Sequence, residues 1–347
     1  MREKDKLLQN ILDKTVDSKK IFGISFSIKK DNTIWHGTAG DLYKDIPYFI
    51  ASTTKLFTTA IILYLRSKGK LNIDDRISLY LEPSIVEGLH IYEGIEYSNQ
   101  ITIRHLLAHT SGLSDYFQDK EKGETSWEEE LKKGHDREWT FEQAIKRTKK
   151  LKPLFIPGTK NKAYYSDSNY QLLGKIIENI TGKSYSQNCD ELIINRIGLS
   201  KTYLYTDYTD CRPKSLYYKS SELHIPKAMT SFRADGGMVS TSSDMLMFIE
   251  AFFTGRLFPL EYISEMQEWN KIFYPMSSGI GVQLFKLPWI FNPFGGSPKF
   301  VGYVGLSGSI AFCCPKKNLY IAGTVNQVAR PDIALRTMIK LTKSLSK

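Results

Sequence analysis

Apolar residues in the first twenty positions recur as Leu7-Leu8 and Ile11-Leu12 between charged ones, the spacing of an amphipathic helix. Over residues 22–30 apolar and polar positions partly alternate, an Asp31-Asn32 turn follows, and residues 33–38 resume the pattern, which predicts a hairpin. After Gly40 the chain reaches Ala51-Ser52-Thr53-Thr54-Lys55, with an apolar run over 56–65 directly behind it, closed by Ser67-Lys68-Gly69-Lys70. That order predicts a helix with Ser52 at its N-terminus. Residues 72–227 are mainly helical in pattern, broken at Ser111-Gly112, Pro157-Gly158 and Gly182, and the charged stretch 119–136 reads as exposed loop or helix face. Beyond Gly236-Gly237 the pattern predicts a helix over 243–253, strands at 279–287, 299–303, 309–314 and 319–325, and a closing helix over 332–345. Strands at both ends around a helical middle predict an α/β (α+β) fold. Its antiparallel sheet is built from the N- and C-terminal segments (1–71 and 228–347) and flanked by helices, and a mostly helical domain (72–227) is inserted.

Composition changes this picture little. At 347 residues, 41% hydrophobic and 12% aromatic, the chain can bury a large core, which excludes a disordered segment. The net charge of +10 arises from 47 basic and 37 acidic residues mixed along the sequence, the pattern of a basic solvated surface. With no zinc-knuckle spacing and no arginine-rich arm, nucleic acid is not an expected partner. The four cysteines form no CxxC pair, and adjacent Cys313 and Cys314 are poorly placed as two separate staples, so all four read as reduced structural thiols. No apolar run approaches the roughly 18 residues of a membrane span, and the charged N-terminus is unlike a signal peptide, so a soluble, cytoplasmic protein is expected.

The candidate chemistry starts at Ser52. Residues three apart on a helix lie on one face, so the Ser52 hydroxyl and the Lys55 amine can point at the same place. An amine so placed can take the hydroxyl proton when burial or a neighbouring cation lowers its basicity. The same spacing occurs at Ser27/Lys30, Ser67/Lys70 and Ser344/Lys347. Ser27 lies in a strand pattern that sends its partner to the opposite face, Ser67 precedes Gly69 at a helix end, and Ser344 sits at the terminus. Only Ser52 opens an apolar helix.

Further segments then fall in order: Ile101-Thr102-Ile103-Arg104-His105-Leu106-Leu107-Ala108-His109-Thr110-Ser111-Gly112-Leu113; Pro157-Gly158-Thr159 with Tyr165-Ser166-Asp167-Ser168-Asn169-Tyr170; Gly236-Gly237-Met238-Val239-Ser240-Thr241; and Gly302-Tyr303-Val304-Gly305-Leu306-Ser307-Gly308. Together with Ser52-Thr53-Thr54-Lys55, these resemble, across residues 22–325, the serine hydrolases that comprise class C β-lactamases, DD-peptidases and esterases of the β-lactamase/transpeptidase-like fold; the motif is known from a sister class too. The resemblance implies Ser52 as the acylated nucleophile, Lys55 and Tyr165 as its proton-transfer partners, and the backbone amides of Ser52 and Leu306 as the oxyanion hole. It implies no cofactor and no metal.

Two departures matter. The family's second motif is Tyr-x-Asn, and here Asp167 replaces the asparagine, which keeps an acceptor, removes a donor and adds negative charge beside Lys55. That charge opposes use of the lysine as a base and shifts expectation towards Tyr165, or a tyrosinate stabilised by Lys55. The third motif, usually Lys or His, then Thr or Ser, then Gly, becomes Tyr303, Val304 and Gly305. The groups that engage a substrate carboxylate are gone, so an esterase is expected ahead of a D-amino-acid peptidase or a β-lactamase, with Asp167, Tyr303, Val304 and Gly305 contacting a small-molecule ester, amide or short peptide. The alternative is a penicillin-binding-like sensor protein with weakened catalysis. Competing motifs are poorer: His105 and His109 lack the acidic partner of a metalloprotease motif, Gly305-Leu306-Ser307-Gly308-Ser309 misplaces the second glycine of a nucleophile elbow, and Lys68-Gly69-Lys70 and Gly295-Gly296 lack the frame of a phosphate loop.

Overall fold

The computed structural model of the protein describes residues 3–286 and 298–345; Gly295-Gly296, Leu287 and Lys347 lie outside the described residues. An eight-stranded sheet runs in the order Asn270–Phe273, Met276–Ser278, Gln283–Lys286, Lys299–Val304, Ser309–Cys314, Leu319–Thr324, Gly23–Lys30 and Thr33–Gly40. Every neighbouring pair is antiparallel. The two ends of the chain meet where Gly23–Lys30 pairs with Leu319–Thr324, with Ser27 opposite Ala322. The expected hairpin turns at Asp31, which takes a left-handed φ of 53°.

Period-two alternation sends the strand residues to two different cores. Phe26, Ile28, Phe300, Phe312 and Ile321 pack beneath the helices Glu3–Asp13 and Asp332–Ser344, which supply Leu8, Leu12, Met338 and Leu341. Each such side chain contributes about 1.5–3 kcal/mol through burial. On the other face Val301, Tyr303, Ala311 and Ala322 meet the core of the helices Lys55–Ser67 and Ser242–Phe253. The short side chains at 311 and 322 let the second helix lie close to the sheet. Ser25 and Ser27 point to this same face and reach Ser242 Oγ at 2.9 and 2.8 Å.

The middle of the chain is helix and loop, led by Phe141–Lys150 and Asp167–Thr181, the latter packed against Lys55–Ser67. It also holds two small hairpins, Ile91–Tyr92 with Ile95–Glu96 and Leu216–Tyr218 with Ser221–Leu223. The strand expected from residue 279 begins instead at Gln283, because Gly281 turns with φ 71° where a Cβ would lie 2.2 Å from Thr59. The edge strand Asn270–Phe273 and its neighbour Met276–Ser278 were not foreseen. They are short, alternate weakly and meet at a Tyr274-Pro275 turn. Cys189, Cys313 and Cys314 are buried free thiols, and Cys211 is free and exposed. No helix among the described residues is long and apolar enough to cross a membrane.

Candidate active site

Ser52 sits in a 3₁₀ turn, Ala51–Thr54, that runs directly into the Lys55–Ser67 helix. Ala51 adopts φ 45°, a strained value for a residue with a side chain, immediately before the serine. The first helical hydrogen bond is from Thr53 N to Ile50 O at 3.1 Å, so the Ser52 amide lies ahead of it, among the unclaimed donors of a helix start. Ser309 clamps this turn to the sheet, donating to Ile50 O at 2.5 Å and meeting Thr53 Oγ1 at 2.8 Å. Gly305 is the point of closest approach: a Cβ there would lie 2.4 Å from both Ile50 O and Ser309 Oγ. The Leu306 amide next to it makes no hydrogen bond with any described residue.

Three side chains from distant segments converge on Ser52. Tyr165 Oη lies 2.6 Å and Lys55 Nζ 3.2 Å from Ser52 Oγ. Lys55 is fully buried; its Nζ donates to Ser52 Oγ and, at 2.6 Å, to the Asp235 carbonyl, and it pairs with Asp167 Oδ1 at 2.6 Å as an ion pair outside hydrogen-bond alignment. Its Nζ also lies 5.1 and 5.3 Å from the ring centroids of Tyr165 and Tyr170. Asp167 Oδ1 takes no hydrogen bond from any described residue, and its contact with Lys55 is that of an ion pair.

Beneath this group lie two more buried carboxyls. Asp115 accepts the backbone amides of Phe117 at 2.7 Å and Asp167 at 3.2 Å, the latter opening the Asp167–Thr181 helix. Asp235 Oδ2 accepts from Tyr116 Oη at 2.8 Å and Gln171 Nε2 at 3.0 Å. Burial, and then the charge of Asp167, push both carboxyls well above the usual carboxylate range. Burial first and Asp167 second also push the Tyr165 phenol well up, although its contact with Ser52 acts the other way. The tyrosinate expected from the sequence is therefore opposed by both its surroundings and its nearest carboxylate.

Tyr303 does not reach the cleft, where it was expected to touch substrate. It is 1% exposed, and its hydroxyl lies 2.8 Å from His109 Nε2. Ser166 N and Asn169 Nδ2 both approach His109 Nδ1 at 3.2 Å, which makes Nδ1 the acceptor and Nε2–H the donor to Tyr303. Burial, aided by the Lys55 charge, holds this imidazole neutral, well below its ordinary pKa. The His109 ring stacks on Tyr165 at 4.7 Å, so this histidine backs the phenol that meets Ser52. Asp115, Asp235 and Gln118 were not singled out from the sequence; each lies far along the chain from Ser52 and belongs to no motif of its own.

Two cavities open on either side of the serine, and Ser52, Gln118 and Leu306 line both. The first, about 630 Å³ with the space open to solvent, is walled by Phe117, Leu131, Leu216, Ile225, Met229 and Phe232, with Asp167 and Asp235 at its floor. Its lining cation, Lys132, is ion-paired to Glu128 at 2.9 Å. The second, about 890 Å³ on the same measure, is bounded by Tyr165, Val304, Gly305 and the edge hairpin with Phe273, Tyr274 and Met276, and has no cationic side chain among the described residues.

The sequence and the fold have counterparts. A putative penicillin-binding protein of Bacillus subtilis is 28% identical over 259 residues, 73% of this chain and 57% of that protein, so the match spans little more than half of the relative. A putative D-alanyl-D-alanine carboxypeptidase of Escherichia coli is 26% identical over 328 residues, covering 85% of this chain and 71% of that one. The crystal structure of a D-stereospecific amidohydrolase from a Streptomyces species superposes with a TM-score of 0.78 at 26% identity, covering 98% of both chains. The Beta-lactamase family model matches residues 8–342, nearly the whole length, and the chain thus belongs to the beta-lactamase family.

Proposed function

We propose that the protein hydrolyses esters or amides of small molecules or short peptides through a Ser52 acyl-enzyme, with apolar acyl esters preferred over D-amino-acid peptides and β-lactams. The observation that carries this reading is the convergence of Tyr165 Oη and Lys55 Nζ on Ser52 Oγ, at 2.6 and 3.2 Å, between two cavities. In this reading Ser52 Oγ attacks the carbonyl, Lys55 and Tyr165 carry its proton to the leaving group, and water then releases the acyl group. The developing oxyanion is received by the amides of Ser52 and Leu306, which are main-chain donors and so independent of the altered third motif. The segments 1–71 and 228–347 supply Ser52, Lys55 and Leu306, the segment 72–227 supplies Tyr165 and Asp167, and the cleft between these two domains is the active site. The preference for apolar acyl groups is supported by the walls of the first cavity and by the lack of an unpaired cation to take a substrate carboxylate. An intracellular setting suits the four free thiols.

One observation favours a second reading, a binding protein that has lost turnover: the Asp167 ion pair occupies the amine that should act as base. Short-chain nitrophenyl esters, a D-alanyl anilide and a chromogenic β-lactam separate the possibilities. Ester hydrolysis abolished by Ser52→Ala, with the β-lactam turned over at least about 100-fold more slowly, is the expected result. Faster turnover of the D-alanyl anilide or of the β-lactam would overturn the ester preference, and tight binding without turnover would establish the second reading.

A further inference from the structure

We propose that Asp167 is a positioning residue that takes and returns the Lys55 proton, so that the buried ion pair drives acylation through Ser52 instead of blocking it; this rests on the reading above. The geometry for such an exchange is confined to one contact. Lys55 Nζ lies 2.6 Å from Asp167 Oδ1, an oxygen that takes no hydrogen bond from any described residue, and the same nitrogen lies 3.2 Å from Ser52 Oγ. Both side chains are removed from water, at 0% and 8% exposure. In such surroundings the ion pair and its neutral form, an amine beside a carboxylic acid, are far closer in energy than in water, because desolvation penalises the two charges.

The step balances as follows. A proton passes from Lys55 Nζ to Asp167 Oδ1, leaving a neutral amine. As Ser52 Oγ bonds to the substrate carbonyl carbon, its proton passes to that amine, and the carbonyl π electrons move onto oxygen. Lys55 is then cationic beside the oxyanion intermediate, Asp167 is neutral, and total charge is unchanged. When the bond to the leaving group breaks, Tyr165 gives its proton to the departing atom and recovers one from Lys55, which recovers its own from Asp167. Deacylation runs the same transfers with water as the nucleophile. An asparagine at position 167 can accept a hydrogen bond but cannot hold the proton.

Other titratable groups face this pair. Asp235 lies below with its carbonyl on Lys55 Nζ, Asp115 accepts the Asp167 amide, and Tyr165, Tyr170 and His109 pack around the lysine. Burial and the charge of Asp167 favour the neutral form of both neighbouring acids, and burial keeps His109 uncharged; of the three carboxyls, Asp167 is the one in ion-pair contact with Lys55 Nζ.

The test is the pH profile of kcat/KM for a nitrophenyl ester in Asp167→Asn, Asp167→Glu and Asp235→Asn, with Ser52→Ala as control. In Asp167→Asn the rate near neutral pH should fall about 100-fold, and the acid limb should move up by two pH units or more, so that alkaline conditions restore activity. Asp167→Glu keeps a carboxylate and should hold the limb within one unit and the rate within about tenfold. Asp235→Asn keeps the carbonyl on Lys55 and should leave the limb in place. An Asn variant as active as the wild type with an unmoved limb overturns the proposal while Ser52 dependence stands. If the Asn variant does not fold, the Glu variant decides alone, and a loss as deep as that of Ser52→Ala overturns it. Hydrolysis that survives Ser52→Ala instead removes the underlying reading.

Discussion

The two ends of the cleft handle polarity in opposite ways. Around Lys55 the chain buries one ammonium and three carboxyls within hydrogen-bond networks, at a desolvation cost that only specific partners offset. At the Tyr303–Leu306 end it has exchanged charge and hydroxyl for an inward-turned tyrosine and a valine, and keeps the unpaired Leu306 amide and a glycine. The difference shows which part of such a site depends on side-chain chemistry and which on backbone placement. Proton transfer requires the first end to retain its groups. Binding of an oxyanion requires only that the second end hold its main chain close to Ser52.

That contrast breaks most sharply at Ser52. Replacement by Ala should lower kcat/KM for an ester by about 10⁴-fold or more and leave the thermal midpoint nearly unchanged, since one hydroxyl beside a cleft is lost. Gly305→Ala tests the backbone end: its methyl must displace Ile50 O, so activity should fall about 100-fold through misplacement of the nucleophile turn, whereas Val304→Ala should change kcat/KM less than about tenfold. Tyr165→Phe, which removes the hydroxyl 2.6 Å from Ser52 Oγ, should also lower kcat about 100-fold, with KM little altered. Tyr303→Phe should keep kcat/KM within about tenfold of wild type yet cost about 1 kcal/mol in denaturant unfolding, because its hydroxyl serves His109. Equal losses in Tyr303→Phe and Tyr165→Phe would erase the distinction between the two ends.

The smallest effect is one of pH on stability. His109 is held neutral in the fold, while in the unfolded chain its imidazole takes up a proton below about pH 6.5. Stability from this residue is therefore complete above that value and is lost as pH falls, by up to about 1.4 kcal/mol per unit. Asp115 and Asp235, with raised values, act in the reverse sense: the folded state binds protons that the unfolded state has released, so their contribution weakens as pH rises above about 4. Between pH 6.5 and 5.5, His109→Asn should lose less thermal stability than the wild type; an equal loss would assign the acid sensitivity elsewhere.

Much of this was legible where local pattern and chemistry coincide. Ser52 and Lys55 stand out because only that Ser-Lys pair opens an apolar helix, and the strands Lys299–Val304, Ser309–Cys314 and Leu319–Thr324 alternate plainly between two buried faces. The hairpin at Asn270–Phe273 was illegible because four residues at a sheet edge carry too little periodicity. Tyr303 was matched to a motif by order along the chain, but its side-chain direction depends on His109, 194 positions away, which no local spacing encodes. The Lys55–Asp167 contact has the same character: the substitution was visible, whereas the closeness and burial on which the proposed proton exchange rests exist only once the two helices pack.

The most direct measurement is covalent trapping with a fluorophosphonate, followed by intact mass and peptide mapping. One adduct per chain, on the peptide containing Ser52, lost in Ser52→Ala and competed by an ester substrate, is the expected result. An adduct on any other residue, or full ester turnover with Ser52 left unmodified by an inhibitory dose, would contradict the assignment of the nucleophile.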